Sequence, residues 1–156
     1  MNSEFIEVAV ARYLNPRQNL VIPNAYWGLG FNYELDLFMM TPAGYGWEVE
    51  IKVSKSDLIK DKEKWKWKNY LSGRIKKLYF AVPLSLENEI DHIPEYAGFL
   101  VVHDNGKVYK RREAQNIGKH KFTEKDRMKA MHLCCMRVWD LKKRLNKGEE
   151  DTNEKL

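Results

Sequence analysis

Tyr33-Glu34-Leu35-Asp36-Leu37-Phe38-Met39-Met40, then Thr41-Pro42-Ala43-Gly44, then Trp47-Glu48-Val49-Glu50-Ile51-Lys52 is the stretch on which the fold turns. The Pro/Gly segment makes a turn, so residues 31–40 and 47–55 are expected as neighbouring strands. The second run alternates cleanly. Val49, Ile51 and Val53 point one way, and Glu48, Glu50 and Lys52 the other. Two strands joined this way bring Asp36 beside Glu50 and Lys52, and the last two are about 6.6 Å apart along one face.

Two carboxylates held together repel, and one protonates unless a cation joins them. Mg²⁺ suits such a site, because it takes oxygen ligands and keeps several waters. A site of this kind can activate water and neutralise a phosphodiester, with Lys52 stabilising the developing negative charge. The same residues would also suit a solvated strand face carrying a surface ion pair worth about 0–1 kcal/mol.

Outward from this stretch, residues 3–14 read as a helix capped by Ser3, with Ile6, Val10, Tyr13 and Leu14 as its apolar stripe. Glu4 and Glu7 suit its positive N-terminal end. Residues 20–22 fit a short strand that stops at Pro23. Ser56 and Asp57 open a helix to about Leu71, and residues 77–82 form a buried-type strand ended by Pro83. A short helix is expected over 85–91. Asp104-Asn105-Gly106 turns a hairpin of residues 98–103 and 107–112. Thr123 caps a long helix to about Leu145, whose Met128, Met131, His132, Cys135, Val138, Trp139 and Leu141 read as a core-facing stripe, the methionines as filling. The expected class is therefore α/β (α+β), a mixed central sheet flanked by helices, with an extra hairpin and C-terminal helix. Residues 1–146 are expected as a single domain and 147–156 as an acidic, flexible tail.

The 156 residues carry a net charge of +5, but the charge is in blocks. Residues 1–51 hold two bases and six acids, and residues 52–77 hold ten and three. Residues 78–106 have five acids and no base, whereas residues 107–147 have fourteen bases and four acids. Lys55, Lys60, Lys62, Lys64, Lys66 and Lys68, with Trp65 among them, suit phosphate contacts and base stacking, or simply a solvated helix face. Trp65 and Trp67 lie about 200° apart on a helix, so one is expected to meet nucleic acid or a second subunit, as in a homodimer. Lys110, Arg111 and Arg112 form a second candidate phosphate track, or a charged hairpin edge that resists aggregation. No run is apolar for long enough to cross a membrane, and no leader peptide is visible. The adjacent Cys134 and Cys135 make no disulfide framework, so a reducing cytoplasm is the expected location. The four histidines show no zinc spacing, and Gly28-x-Gly30 lacks the rest of a dinucleotide site.

Asp36, thirteen residues, then Glu50-x-Lys52, on a hairpin followed by a helix, resembles the PD-(D/E)xK nucleases of restriction-endonuclease-like fold. The running text Glu50-Ile-Lys-Val-Ser-Lys-Ser-Asp57, then Asp61, Lys64-Trp65, Tyr70 and Leu78-Tyr-Phe-Ala-Val-Pro83, is similar to the small MmcB-like DNA-repair nucleases of bacteria and phages. The resemblance spans about residues 3–112. Leu35 stands where the superfamily name places proline.

The resemblance implies a Mg²⁺ or Mn²⁺ centre held by Asp36, Glu50 and the Ile51 backbone carbonyl, with Lys52 as the catalytic lysine. Glu7 could add a helix carboxylate, or be only a first-turn acid favoured by the helix dipole, and Glu48 could assist. The implied activity is hydrolysis of DNA, in preference to RNA, in repair, recombination or phage DNA metabolism. The setting would be a bacterial cytoplasm or a phage-infected cell. Two alternatives stay open. One is a nucleic-acid-binding module without turnover. The other is a phage-type effector that anchors a protein partner through Trp65 or Trp67.

Overall fold

Helix α1 (Ser3–Tyr13) starts from Asn2, whose extended backbone lets its side-chain oxygen accept from Phe5 N–H at 2.9 Å. Ser3, the expected cap, already lies inside the first turn. Ile6, Ala9, Val10 and Leu14 are buried, whereas Tyr13, at the last helical residue, is 42% exposed at the rim of that packed face. The structure is a computed structural model that describes residues 1–62 and 73–153.

Six strands follow: β1 (Leu20–Ala25), β2 (Leu35–Met40), β3 (Gly46–Ile51), β4 (Lys77–Pro83), β5 (Gly98–Val102) and β6 (Val108–Arg112). They form one mixed sheet in the order β1-β2-β3-β4-β5-β6. The β3–β4 and β4–β5 pairs are parallel and the others antiparallel. A parallel pair needs a crossover, and the β3-to-β4 crossover opens with helix α2 (Lys55–Lys62).

Several expected boundaries move: β2 starts at Leu35 and not at residue 31, and three others shift for a local reason. Strand β1 runs through Pro23 to Ala25, because an edge strand loses no ladder bond at a proline. Strand β3 stops at Ile51, short of Lys55, because Ser54 caps α2: its Oγ accepts from Asp57 N–H at 3.2 Å. The helix expected over 85–91 is two 3₁₀ turns, Leu84–Leu86 and Ile90–His92. The hairpin between β5 and β6 turns where Gly106, at φ +79°, was expected to turn it.

The final helix, α3 (Glu124–Asn153), begins at Thr123, whose Oγ accepts from Asp126 N–H while the Asp126 carboxylate accepts from Thr123 N–H. It continues past Leu145, through Asn146 and Gly148, to Asn153, within the stretch expected as a tail. The sheet is covered on both faces. On one, α1 packs over Leu37, Met39, Val49, Ala81 and Leu100. On the other, Leu58, Phe122, Ala130 and Leu133 close over Ile22, Phe38, Phe80 and Phe99. Helix α3 does not bury the stripe expected of it. It lies along the edge strand β1, and Ala130, Leu133 and half-buried Cys134 face inward while Met128 and Trp139 are 72% and 62% exposed. Met39 and Met40 are core residues, but Met128, Met131 and Met136 are exposed.

At the far side of the sheet, Gly98 pairs with Tyr79, and a Cβ there would sit 2.2 Å from the Tyr79 ring and 2.9 Å from Ala114 N. Gly98→Ala is expected to cost about 1–3 kcal/mol in urea unfolding, as an overpacked site with backbone on one side. Next to it Glu113 accepts from Tyr79 Oη and from the ammonium groups of Lys110 and Lys77. Hydrogen bonds from Lys110 first, then Lys77 and Tyr79, hold its carboxyl down at about 2, below the ordinary 4.5. A depressed carboxyl contributes stability above its unfolded value and loses it as pH falls through the folded one. The wild-type chain should therefore lose this contribution between pH 4.5 and about 2. In Glu113→Gln that part of the stability-against-pH curve should be flatter.

Candidate functional site

The β2–β3 register pairs Leu37 with Val49 and Phe38 with Glu48. One residue further along each strand come Asp36 and Glu50, and Asp36 Oδ2 accepts from Ile51 N–H at 2.8 Å. Lys52 continues the backbone pairing, donating its N–H to Ala81 O at 3.0 Å. Its side chain then turns back, with Nζ 2.9 Å from Glu50 Oε1 and 2.6 Å from Asp61 Oδ2. The three side chains are only 12%, 7% and 4% exposed. Burial disfavours the Lys52 ammonium, but Glu50 and Asp61 outweigh it and hold the group above the ordinary lysine value. Ser3, Ile51, Lys52, Val53, Asp57, Lys60 and Asp61 line a cleft of about 220 Å³ beside this trio.

Two further acids fall on different sides. Glu7 comes from α1, and its carboxyl is pushed up by burial and then by the charge of Asp36, with Arg144 acting the other way. Glu48 shares a strand face with Glu50 but sits two residues deeper and is fully buried. It accepts from Tyr33 Oη at 3.0 Å. Burial and then Glu48 raise the Tyr33 hydroxyl far above the usual phenol range and push Tyr96 up to about 12. Glu48 thus lies within the core and not at the cleft.

Asp61, quoted above only within the family resemblance and given no role at the site, partners the lysine. Its signal was faint: Leu58 and Asp61 are three apart, so both take the face of α2 turned to the sheet, and Asp61 interrupts a run of lysines. Of the basic residues, Lys60 is at the cleft. Lys55 reaches Glu89 at 3.1 Å. The hairpin residues lie on the edge strand β6, three strands from β3, and are not gathered with the site. Lys110 pairs with Glu113, Arg111 with Glu87, and Arg112 donates to the carbonyls of Ala97 and Pro94. Lys64, Trp65, Lys66 and Lys68, and the side chain of Lys62, lie outside the described residues.

Among the described residues, no group of three or more carboxylate, histidine or cysteine side chains is arranged to hold a metal ion. Asp36 and Glu50 offer two carboxylates, and the Ile51 carbonyl lies between Glu50 and Lys52 in the chain. That hard-oxygen set fits Mg²⁺, which is commonly bound by one or two carboxylates and keeps its waters. Burial first, and then the charge of Asp36, raises the Glu7 carboxyl, so Asp36 and Glu7 lie near enough to repel one another. No helix among the described residues is long and apolar enough to cross a membrane.

No family model matches the chain, and no curated protein does. Among solved structures it is similar to the SPO1766 protein of unknown function from Silicibacter pomeroyi, with TM-score 0.64 and 21% identity over 96% of this chain and 94% of that one. That likeness shows a shared fold. Looser likenesses are to an XisH family protein from Nostoc punctiforme (TM-score 0.47, 13% identity, 70% of this chain and 99% of that) and to Pyrococcus furiosus SfsA (TM-score 0.35, 14% identity, 70% and 61%). Neither carries an argument about this chain.

Removing the lysine charge should leave Glu50 and Asp61 as buried carboxylates without their shared cation. Lys52→Met is expected to lose about 3–5 kcal/mol in urea unfolding at pH 7 in chelator, the usual cost of breaking a buried ion pair.

Proposed function

We propose that this chain is a metal-dependent nuclease of the restriction-endonuclease-like class that hydrolyses DNA phosphodiester bonds. The single observation that supports the reading best is the convergence of Asp36, Glu50 and Lys52 at the ends of β2 and β3, beside an open cleft. When bound at Asp36, Glu50 and the Ile51 carbonyl, Mg²⁺ or Mn²⁺ would supply Lewis-acid polarisation of the phosphodiester and of water. The chain's own residues do the rest. Lys52, held protonated by Glu50 and Asp61, stabilises negative charge developing on a phosphoryl oxygen and does not serve as a base. Asp61 fixes the direction of that ammonium, so it is a positioning residue. Lys60, on the cleft wall, offers a cation to the incoming phosphate backbone.

One observation favours a second reading. Glu50 is bonded to Lys52, and Asp36 to the Ile51 N–H. A nucleic-acid-binding module without turnover could keep such a network closed.

Purified chain incubated with single-stranded DNA, duplex DNA and RNA is expected to cleave DNA with Mg²⁺ or Mn²⁺ and not in chelator. Lys52→Met should lower the rate by about 10²–10³-fold, as removal of one transition-state donor does. Asp36→Asn should abolish cleavage and weaken Mn²⁺ binding in calorimetry. No cleavage of any nucleic acid, or equal rates in the variants, would sink the nuclease reading. Salt-sensitive DNA binding that needs no metal and survives Asp36→Asn would then favour the second.

A further inference from the structure

Helix α3 has two apolar faces, and the sheet covers only one. Ala130 and Leu133 are buried against β1, and Arg137 donates to the carbonyls of Pro23 at 3.4 Å and Asn24 at 2.6 Å. At about 100° per residue, Met128, Met131, Cys135, Val138, Trp139 and Leu145 fall within an arc of roughly 120° on another side of the helix. All six are exposed. Trp27, also exposed, stands next to this stripe, its ring 6.4 Å from that of His132.

We propose that this stripe pairs with the same stripe of a second copy of the chain, two α3 helices lying antiparallel about a two-fold axis. Three observations carry the choice of partner, and none depends on the nuclease reading. The first is spacing. Positions 128, 131, 135, 138, 142 and 145 step by three and four in turn, the seam of a two-helix pairing. The second is area. Six half-exposed side chains at about 100 Å² each, with Trp27, come close to the roughly 800 Å² per partner of a stable interface and exceed what monomers usually leave bare.

The third is charge. Lys142 sits in the middle of the arc, its ammonium 5.6 Å from the centre of the Trp139 ring. A parallel pair would stack Lys142 on Lys142. Antiparallel pairing about Cys135 and Val138 sets Lys142 across from Met131, where its stem can pack. A lysine at the centre of the stripe also disfavours a lipid surface as the occupant.

Sedimentation velocity from about 1 to 100 µM is expected to show a species of twice the 18.5 kDa chain mass. Val138→Lys and Trp139→Lys should each weaken association at least tenfold and leave circular dichroism and the melting midpoint unchanged, because both residues are exposed in the single chain. Tyr109→Lys, on β6, should leave the dimer intact. With Cys134 and Cys135 replaced by serine, a bismaleimide should join a Met128→Cys chain to a Leu145→Cys chain more readily than either to itself. A chain at monomer mass throughout, or a dimer that survives both lysine variants, overturns the proposal. So does a monomer that sediments with phosphatidylserine vesicles. Preferential self-linking of each cysteine variant overturns the antiparallel arrangement.

Discussion

Lys52, gripped between Glu50 and Asp61, is the constraint around which the candidate site is arranged. Three charges so nearly shielded from water are tolerable only together, because each would be costly to bury alone. Their mutual need fixes geometry: the end of β3 is tied to α2. The parallel β3–β4 pairing reinforces this by anchoring the Lys52 backbone on Ala81 while the side chain turns back. Such a triad adds little net stability compared with an apolar core of the same volume, but it specifies one direction for one ammonium group.

The neighbouring acids show how depth along a strand separates roles. Glu48 and Glu50 share a face and differ by two residues. Glu48 lies under the core layer, where its Oε2 accepts from Tyr33, whereas Glu50 reaches the strand end beside Lys52, which lines the cleft. One turn of alternation thus divides a structural carboxylate from one positioned for chemistry.

Much of this was legible before any coordinates. The alternation from Trp47 to Lys52 is a period-two signal that only a strand satisfies, and with the Pro/Gly turn it set Asp36 beside Glu50. The Asp104-Asn105-Gly106 hairpin and the Thr123 cap were legible for similarly local reasons. Asp61 was not, because its partner lies nine residues back across a loop and a helix turn whose direction no spacing encodes. The cap of α1 was missed by one residue, since Asn2 and Ser3 are chemically equivalent candidates and only backbone dihedrals decide. Helix α3 was misread for a deeper reason. Periodicity reports that an apolar stripe exists and says nothing about what covers it. Ala130, Leu133 and Cys134 carry too little apolar surface to announce the face that meets the sheet.

The strand order has a consequence for how the chain acquires its shape. Every strand pairs with its predecessor, so the sheet can extend strand by strand as the polypeptide leaves the ribosome, with modest loop-closure entropy at each addition. The exception is α3, whose Cys134 meets Val21 across 113 residues. Until that helix arrives, β1 is a bare edge on a growing sheet, open to pairing with other nascent chains. Pro23 interrupts its row of donors, and Arg137 later occupies its carbonyls. The proline guards the interval, and the arginine ends it.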